Sequence, residues 1–408
     1  MIQAFSPDHL LGVAPALLPL LMAFCGWLTV RLAQWSSLIP RRAIGFRTWI
    51  GWQGYFYGHT GDFINHWSRG LLERLGTIDQ VFEQIGPEKI VSHQLARLRP
   101  QLDSFIDEVM SSQNRVLWEN MPILVKNRFY ARTHRMLPRI IDDIVEELGD
   151  NVRRMVTYQQ LFEFAEKDNP GTLLRVYHAL TLRGFNKLAW LCFYCGLAAG
   201  AVQLAVAVPL HLLHNETYWL VTAIAIGTGF FWLCQNWLQF PLAPVKLGSF
   251  TWRSPYSRLR EQQDRELARL LAETVLSPRN IARALILGSK SRHAQTIIKK
   301  RIAPLMDDLN VRTVAQLTVG PIGYVNLKQS LSDKLTESFM EPFEDEEFNQ
   351  TRAKVLTEFL LSRIEKQPDQ LFYQQMKWVL DPLAIAGTCG GFILGGLLGS
   401  LQWLLFSL

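Results

Sequence analysis

The chain has 408 residues, of which 49% are hydrophobic and 19% are charged, and its formal net charge is +6. This balance fits neither a wholly soluble protein nor a transporter built only of apolar spans, and it is typical of long apolar runs diluted by charged segments. The positive charge is small for this length and no recognition motif accompanies it, so we expect no nucleic-acid partner.

Four apolar runs reach the length of about 20 residues that a spanning helix needs. They cover residues 10–30, 188–208, 218–240 and 383–406. The first run lacks a basic leader and a small-residue cleavage site, so we interpret it as an anchor and not as a signal peptide. All five cysteines lie in these runs, where apolar surroundings favour buried small side chains over redox or zinc chemistry.

Polar segments with helical patterning separate the first run from the second and the third run from the fourth. Thr77 with Gln80, and Thr157 with Gln160, have the spacing of capping boxes, and Ser277 before a proline is a helix start. Apolar residues recur every three or four positions, and no stretch alternates as a strand does. The sequence therefore predicts an all-α integral membrane protein with four transmembrane helices and two extended helical soluble domains.

Landmarks of the first half recur about 200 residues later. The spacing of Gly196, Gly200 and Gln203 is repeated, 199 positions on, by Gly395, Gly399 and Gln402. The pairs at a displacement of 200 are Trp52 with Trp252, Thr77 with Ser277, and Val81 with Ile281. These matches predict a tandem pseudo-repeat of one unit, a span followed by a helical domain and a second span.

The repeat divides the chain into five predicted regions. They are a first span with its flanks (1–40), a helical domain (41–186), two spans joined by a short turn (187–240), a second helical domain (241–382) and a last span (383–408). Each unit leaves and re-enters the membrane, so both helical domains lie on one side. Lysine and arginine flank the runs on that side only, and the positive-inside rule therefore predicts cytoplasmic domains with both termini opposite.

Glycine occupies every fourth position of the last run, at Gly387, Gly391, Gly395 and Gly399. Each interior glycine costs a soluble helix roughly 1 kcal/mol relative to alanine, whereas in a bilayer a glycine stripe lets two helix backbones approach. We therefore predict a helix-packing face, either within one chain or between subunits of a homo-oligomer. Gln203 and Gln402 interrupt the apolar spans, and the repeat predicts that their amides meet as structural glue, with a permeation role as the weaker alternative.

Residues near the ends of the spans are candidates for contact with lipid headgroups. They are Trp52, Gln53, Gly54, Trp252, Asn236 and Trp237. Aromatic residues collect at the membrane interface, so simple anchoring is the favoured interpretation and a headgroup-binding site is the alternative.

Several stretches resemble a known family. "GWLTVRLAQWSSLIP" is similar to a signature G-W-x-T-N-W-x-A…P, and "IGWQG", "VLWENMP", "ETVLSPRNIARALILGSKS" and "GGLLGSLQWLLF" continue the likeness in order. The chain thus resembles the bacterial membrane proteins grouped as domain of unknown function 445. The T-N-W of that signature is Thr29-Val30-Arg31 here, and in the second unit it survives only as Gln235-Asn236-Trp237. The resemblance implies a multi-pass protein of the bacterial inner membrane, without an agreed activity.

Candidate chemistry is sparse elsewhere. His59, Asp62 and His66 share a face if their stretch is helical, but the third strong ligand of a metal site is not evident, so we predict no metal and no cofactor. The pairs of carboxylates in 142–147 are interpreted as a solvated face. No motif of a hydrolase, metalloprotease or nucleotide-binding loop is present, so we predict no enzyme and no catalytic residue.

Two classes of function compete. The leading hypothesis is a non-enzymatic membrane protein whose paired helical domains act as an envelope scaffold or a lipid-handling module, with membrane lipids and envelope proteins as partners. The alternative is an oligomeric channel or carrier, against which the lack of ionisable groups at mid-membrane argues. A membrane-associated enzyme without recognisable motifs is the third possibility.

Overall fold

The computed structural model describes residues 7–42, 44–45, 51–210, 212, 215–239, 245–247, 250–252, 255–338, 340–367 and 369–407. Almost all of these residues are helical, which confirms the all-α class. The strands in this part of the chain form two short antiparallel ladders, β1 (Ile44–Gly45) with β2 (Gly51–Trp52), and β3 (Val245–Leu247) with β4 (Phe250–Trp252). Sequence patterning does not predict them, because strands of two or three residues are too short to show alternation.

The helices follow one another along the chain. The first half contains α1 (Pro7–Leu38), α2 (Tyr55–Gly58), α3 (Thr60–Trp67), α4 (Glu73–Leu75), α5 (Ile78–Ile85), α6 (Pro87–Glu119), α7 (Ile123–Met155) and α8 (Tyr158–Asp168). The second half contains α9 (Thr172–Ala207), α10 (Glu216–Gln239), α11 (Pro255–Leu270), α12 (Pro278–Leu287), α13 (Ser291–Asp307), α14 (Leu309–Ser338), α15 (Glu346–Glu365) and α16 (Asp369–Ser407). Two π-helical turns, Ser68–Leu72 and Leu271–Val275, follow α3 and α11.

The chain folds into two compact units. The first, which we call the apolar unit, consists of Met1–Trp67, Tyr177–Asp264 and Gln367–Leu408. The second, which we call the polar unit, consists of Ser68–Val176 and Arg265–Lys366. Both polar segments of the sequence, predicted as separate helical domains, therefore contribute to one unit.

Three helices of the described chain are long and apolar enough to cross a bilayer. They are Leu17–Leu38 in α1, Phe185–Ala207 in α9 and Leu383–Leu404 in α16. The remaining predicted run, 218–240, coincides with α10, several of whose side chains from residue 230 onward lie outside the described part. The structure thus confirms helices of membrane-spanning character, while the count of four stays a prediction.

The predicted helix starts of the polar unit are present. The Thr77 hydroxyl accepts from the Gln80 amide while Gln80 Oε1 accepts from the Thr77 amide, and Thr157 and Gln160 form the same reciprocal pair. The Ser277 hydroxyl accepts from the backbone amide three residues on, at 3.2 Å. Capping residues satisfy amides that the first helical turn leaves free, which is why these starts can be recognised from sequence.

The core of the polar unit joins the two polar segments. Helix α7 turns an apolar face inward at three- and four-residue spacing, including Ile141, Ile144 and Leu148. The buried Asn280 of α12 donates from Nδ2 to the Leu161 carbonyl of α8 at 2.8 Å. Because the paired residues come from opposite halves of the sequence, neither segment completes this core alone.

Candidate functional site

Helix α16 lies against α10 along its row of glycines. A Cβ atom at Gly391 would overlap the backbone oxygen of Gly227, and one at Gly395 would lie 2.6 Å from the backbone oxygen of Ala223. A Cβ atom at Gly399 would lie 2.7 Å from the Cα atom of Leu220. The stripe therefore packs within the chain, as close approach between apolar helices requires. Gly387 is also buried on α16.

Helix α9 approaches α1 in the same way. A Cβ atom at Gly196 would lie 2.6 Å from the backbone oxygen of Met22, and one at Gly200 would lie 2.7 Å from the Cα atom of Pro19. From the other side, a Cβ atom at Gly26 would lie 2.6 Å from the backbone oxygen of Cys192. Both glycine-bearing helices thus have a partner inside the apolar unit.

Two glutamine side chains meet between these helices, near the C-terminal ends of α9 and α16. Gln203 and Gln402 are buried, and Gln203 Nε2 donates to Thr222 Oγ1 at 2.6 Å and to Gln402 Oε1 at 3.4 Å. Gln203 Oε1 and Gln402 Nε2 have no hydrogen-bond partner among the described residues. Helices α9, α10 and α16 are therefore linked by one polar contact whose hydrogen-bonding capacity is only half used.

The described interfacial candidates pack against the end of α1. Gln53 is exposed and donates from Nε2 to the Arg41 carbonyl at 3.1 Å, and the Gly54 amide donates to the Pro40 carbonyl at 2.9 Å. Gly54 is buried so tightly that a Cβ atom would lie 2.8 Å from the backbone of Leu38. This geometry holds the chain where it leaves α1 and shows a structural role for these two residues.

Of the other interfacial candidates, the structure describes the side chain of Asn236. Asn236 is exposed on α10, whereas the side chains of Trp52, Trp252 and Trp237 lie outside the described part of the chain.

At the motif Thr29-Val30-Arg31 of α1, the buried Thr29 hydroxyl donates to the Cys25 carbonyl at 2.8 Å, and Arg31 donates to Asn186 Oδ1 of α9 at 2.7 Å. Arg31 thus ties α1 to α9.

The candidate metal residues have other contacts. The His59 ring stacks on Tyr55 with centroids 4.4 Å apart, and Asp62 is exposed. His66 is partly buried, and the loss of hydration lowers the pKa of its imidazole. Among the described residues, no three or more His, Cys, Asp or Glu side chains come together in a group that could hold a metal ion.

An aromatic cluster beside these residues has no counterpart in the sequence analysis. The ring centroid of Tyr177 lies 4.7 Å from that of Phe56 and 6.2 Å from that of Phe63, and Trp67 packs on Phe63 with centroids 5.7 Å apart. Burial raises the pKa of Tyr177 to about 12. The i, i+7, i+11 spacing of Phe56, Phe63 and Trp67 is the signal that would have indicated this cluster.

Ion pairs in the polar unit correct the interpretation of the carboxylates in 142–147 as a solvated face. Glu147 of α7 accepts from Arg301 Nε of α13, and Lys300 lies 3.5 Å from its other carboxylate oxygen. Asp143 lies 3.6 Å from the same arginine. The carboxylates in 142–147 are therefore not simply a solvated face, because two of them bind a helix from the second half of the sequence. Hydrogen bonding from Arg301 lowers the pKa of Glu147.

The acidic stretch before α15 caps that helix. Asp345 caps α15 by accepting from the Glu347 amide at 3.0 Å, and its carboxylate also binds Arg97 of α6. The hydrogen bond from Arg97 is the largest cause of a lowered pKa of Asp345, and the backbone amides of Phe348 and Glu347 add to it.

Two cavities of the polar unit show what its interior can admit. An apolar cavity of about 20 Å³ lies among residues of both polar segments, including Ile85, Leu148 and Ile281. A polar cavity of about 540 Å³ is lined by charges of both signs, among them Arg269, Glu273 and Lys354. The first holds no more than one water molecule, and the second suits water and small polar solutes rather than an acyl chain.

Comparison of the chain with protein-family models, with curated proteins and with solved structures finds no match. The resemblance to domain of unknown function 445 therefore stays a prediction.

Proposed function

We propose that this protein is a non-enzymatic, multi-pass scaffold of the bacterial inner membrane, related to the family of domain of unknown function 445. Four apolar helices anchor it, and the polar unit is the surface that it offers to envelope components. Its partners are membrane lipids around the anchor and envelope proteins at the polar unit.

The observation that carries this proposal is the close helix packing of the apolar unit, together with the small size of the apolar cavity in the polar unit. Glycine rows bring α16 onto α10 and α9 onto α1 until backbones touch, which leaves no conduit between the helices of either pair. The apolar cavity of the polar unit, at about 20 Å³, is far smaller than a lipid acyl chain. A carrier of lipid needs an apolar space for the acyl chains of its cargo, whereas a scaffold does not.

The integrity of the polar unit supports four crossings with both segments on one side. One polar segment follows α1 and the other follows α10, yet they form one compact unit. If α10 did not cross the bilayer, the crossing by α9 would put the two segments on opposite sides. Helix α10 has 24 residues, or about 36 Å at 1.5 Å per residue, which is enough for a span.

Element-level correspondences support the pseudo-repeat. Ladder β1–β2 recurs as β3–β4, a π-helical turn follows both α3 and α11, and capped starts lie at Thr77 and Ser277. The close approach of Gly26 to Cys192 also recurs as that of Gly227 to Gly391. A copied unit accounts for the repetition of both local structure and helix packing.

Cysteine labelling of intact cells with a membrane-impermeant maleimide tests the topology. We expect labelling of Glu216→Cys, next to the central turn, and protection of Asp150→Cys and Glu365→Cys, one on each polar segment, until the membrane is permeabilised. The unmodified protein is the control, because its own cysteines lie in the apolar runs. Different accessibility of positions 150 and 365 would contradict a polar unit on one side.

Lipid analysis tests the scaffold against a lipid carrier. Mass spectrometry of the purified protein should find only bilayer lipids that exchange readily with detergent. A lipid retained in fixed ratio after detergent exchange, and cross-linked to the polar unit, would overturn the scaffold and favour lipid handling.

A further inference from the structure

The turn between α6 and α7 presents large apolar side chains to solvent. Ile123 is 73% exposed and Leu124 is 78% exposed, and Val116 and Leu117 on the α6 side are also exposed. Four such residues within nine positions form an apolar patch, which we call the hairpin tip. Monomeric soluble surfaces rarely expose contiguous apolar patches without a binding role.

Side-chain contacts beneath the hairpin tip hold it in a fixed conformation. Beneath it, Trp118 is buried and donates from Nε1 to Asp107 at 2.9 Å, and Tyr130 donates to the same carboxylate. The Lys126 ammonium lies 5.1 Å from the centre of the Trp118 ring and caps the indole. Side chains below the tip thus fix the turn, while the large apolar side chains on its surface are exposed.

A basic stripe leads from the hairpin tip along α7. Residues 120–141 contain five lysines and arginines and no aspartate or glutamate. Arg128, Arg135 and Arg139 are exposed, and with Leu124 their spacing of four, seven and four positions places them on one helix face. Within the part of the chain that the structure describes, none of these three arginines has a carboxylate within ion-pair distance, whereas Arg132 on the neighbouring face is paired with Asp308.

Apolar side chains at a fixed turn, followed by unpaired arginines on the same face, are complementary to an anionic lipid surface. The apolar residues reach the boundary between headgroups and acyl chains, and the arginines bind phosphate groups. A bilayer surface offers phosphate groups to all three arginines at once, whereas a protein partner would have to supply a carboxylate for each. We propose that the hairpin tip docks on the surface of a bilayer that contains anionic lipid. This docking gives the proposed scaffold a lipid partner, and it therefore rests on the proposed function.

Capture of vesicles by the full chain tests this docking. The protein is reconstituted in phosphatidylcholine nanodiscs and mixed with vesicles of phosphatidylcholine alone or with phosphatidylglycerol, and co-flotation is measured. We expect flotation with the anionic vesicles only and its loss at high salt, since the electrostatic contribution is screened. Equal capture by neutral vesicles, or no capture, would overturn the proposal.

Matched variants separate the apolar contribution from the electrostatic one. Leu124→Ser should weaken capture about tenfold, while Leu287→Ser, at another exposed leucine, on α12, should leave it unchanged. Each of the single variants Arg128→Gln, Arg135→Gln and Arg139→Gln should weaken capture roughly fivefold. All these side chains are exposed, so unfolding temperatures should match that of the unmodified protein.

Two further outcomes are informative. If nanodisc particles pair with one another without vesicles and Leu124→Ser abolishes the pairing, the tip binds a second copy and the lipid proposal is wrong. If cysteine labelling finds the polar unit on the opposite side of the membrane, capture in vitro is unaffected, so failure of the topology and failure of the docking are distinguishable.

Discussion

Gln203 and Gln402, 199 positions apart in the sequence, are joined by a hydrogen bond of 3.4 Å between Nε2 and Oε1. The bond from Gln203 to Thr222 is much shorter, at 2.6 Å. Gln203 is thus the centre of this polar contact, whereas Gln402 makes the longer bond and its Nε2 has no partner among the described residues.

The first prediction concerns this asymmetry. Gln203→Leu should destabilise the apolar unit by about 1–2 kcal/mol, because both polar atoms of Gln402 are then buried without a partner. Gln402→Leu should be nearly neutral, because it removes a long bond together with an unpartnered donor. Unfolding in mixed detergent and denaturant measures both, and a double-mutant cycle should give a coupling of about 0.6 kcal/mol. Equal losses for the two single variants would show that the pair contributes symmetrically.

The second prediction uses neighbouring glycines of α16. Gly391→Ala should lower the unfolding free energy by about 1–3 kcal/mol, because its methyl group would overlap the backbone of Gly227. Gly390→Ala is the matched control, since a Cβ atom there has no neighbour within 4 Å. Alanine also favours helix, so the control should be neutral or slightly more stable. Thermal unfolding in detergent measures both variants. Equal unfolding temperatures for the two variants would contradict the close packing of α16 on α10.

Local features of this fold follow from the sequence, because their causes are local. Thr77 and Thr157 begin helices since a hydroxyl and a glutamine three residues later satisfy free amides in any context. The glycine spacing of α16 likewise predicts a close neighbour. It does not say which helix is the neighbour, because α10 and a second subunit would impose the same spacing.

Tertiary features could not be predicted in this way. Glu147 looks like one of several solvated carboxylates until α13 places Arg301 against it, 154 positions away. The merging of both polar segments into one unit depends on contacts of the same kind. The exposure of Leu124 could not be predicted from the sequence either, because an apolar residue in an amphipathic helix is expected on the buried face of that helix.

The third prediction is a loss of stability in mild acid. Burial lowers the pKa of His66 and of His178, so the folded protein favours neutral imidazole at both positions. The unfolded chain binds protons first as pH falls below the ordinary histidine value of about 6.5, so this contribution to stability is present above that pH and is lost below it. Unfolding temperature should fall between pH 7.5 and about pH 5. The double variant His66→Gln with His178→Gln should flatten that slope, and an unchanged slope would assign it to other groups.

The fourth prediction concerns the contact between the two halves of the polar unit. Hydrogen bonding from Arg301 lowers the pKa of Glu147, so this carboxylate stabilises the fold at pH values above its ordinary pKa and ceases to do so as pH falls through the lowered value. Glu147→Gln should therefore cost about 1 kcal/mol at neutral pH, and the difference from the unmodified protein should vanish in strong acid. Glu146→Gln is the matched control, because Glu146 is exposed on the adjacent position of α7 and makes no ion pair within the described residues. Denaturant unfolding at several pH values measures both variants. A loss that persists in acid, or one that Glu146→Gln shares, would mean that the contact with Arg301 does not hold the two halves together.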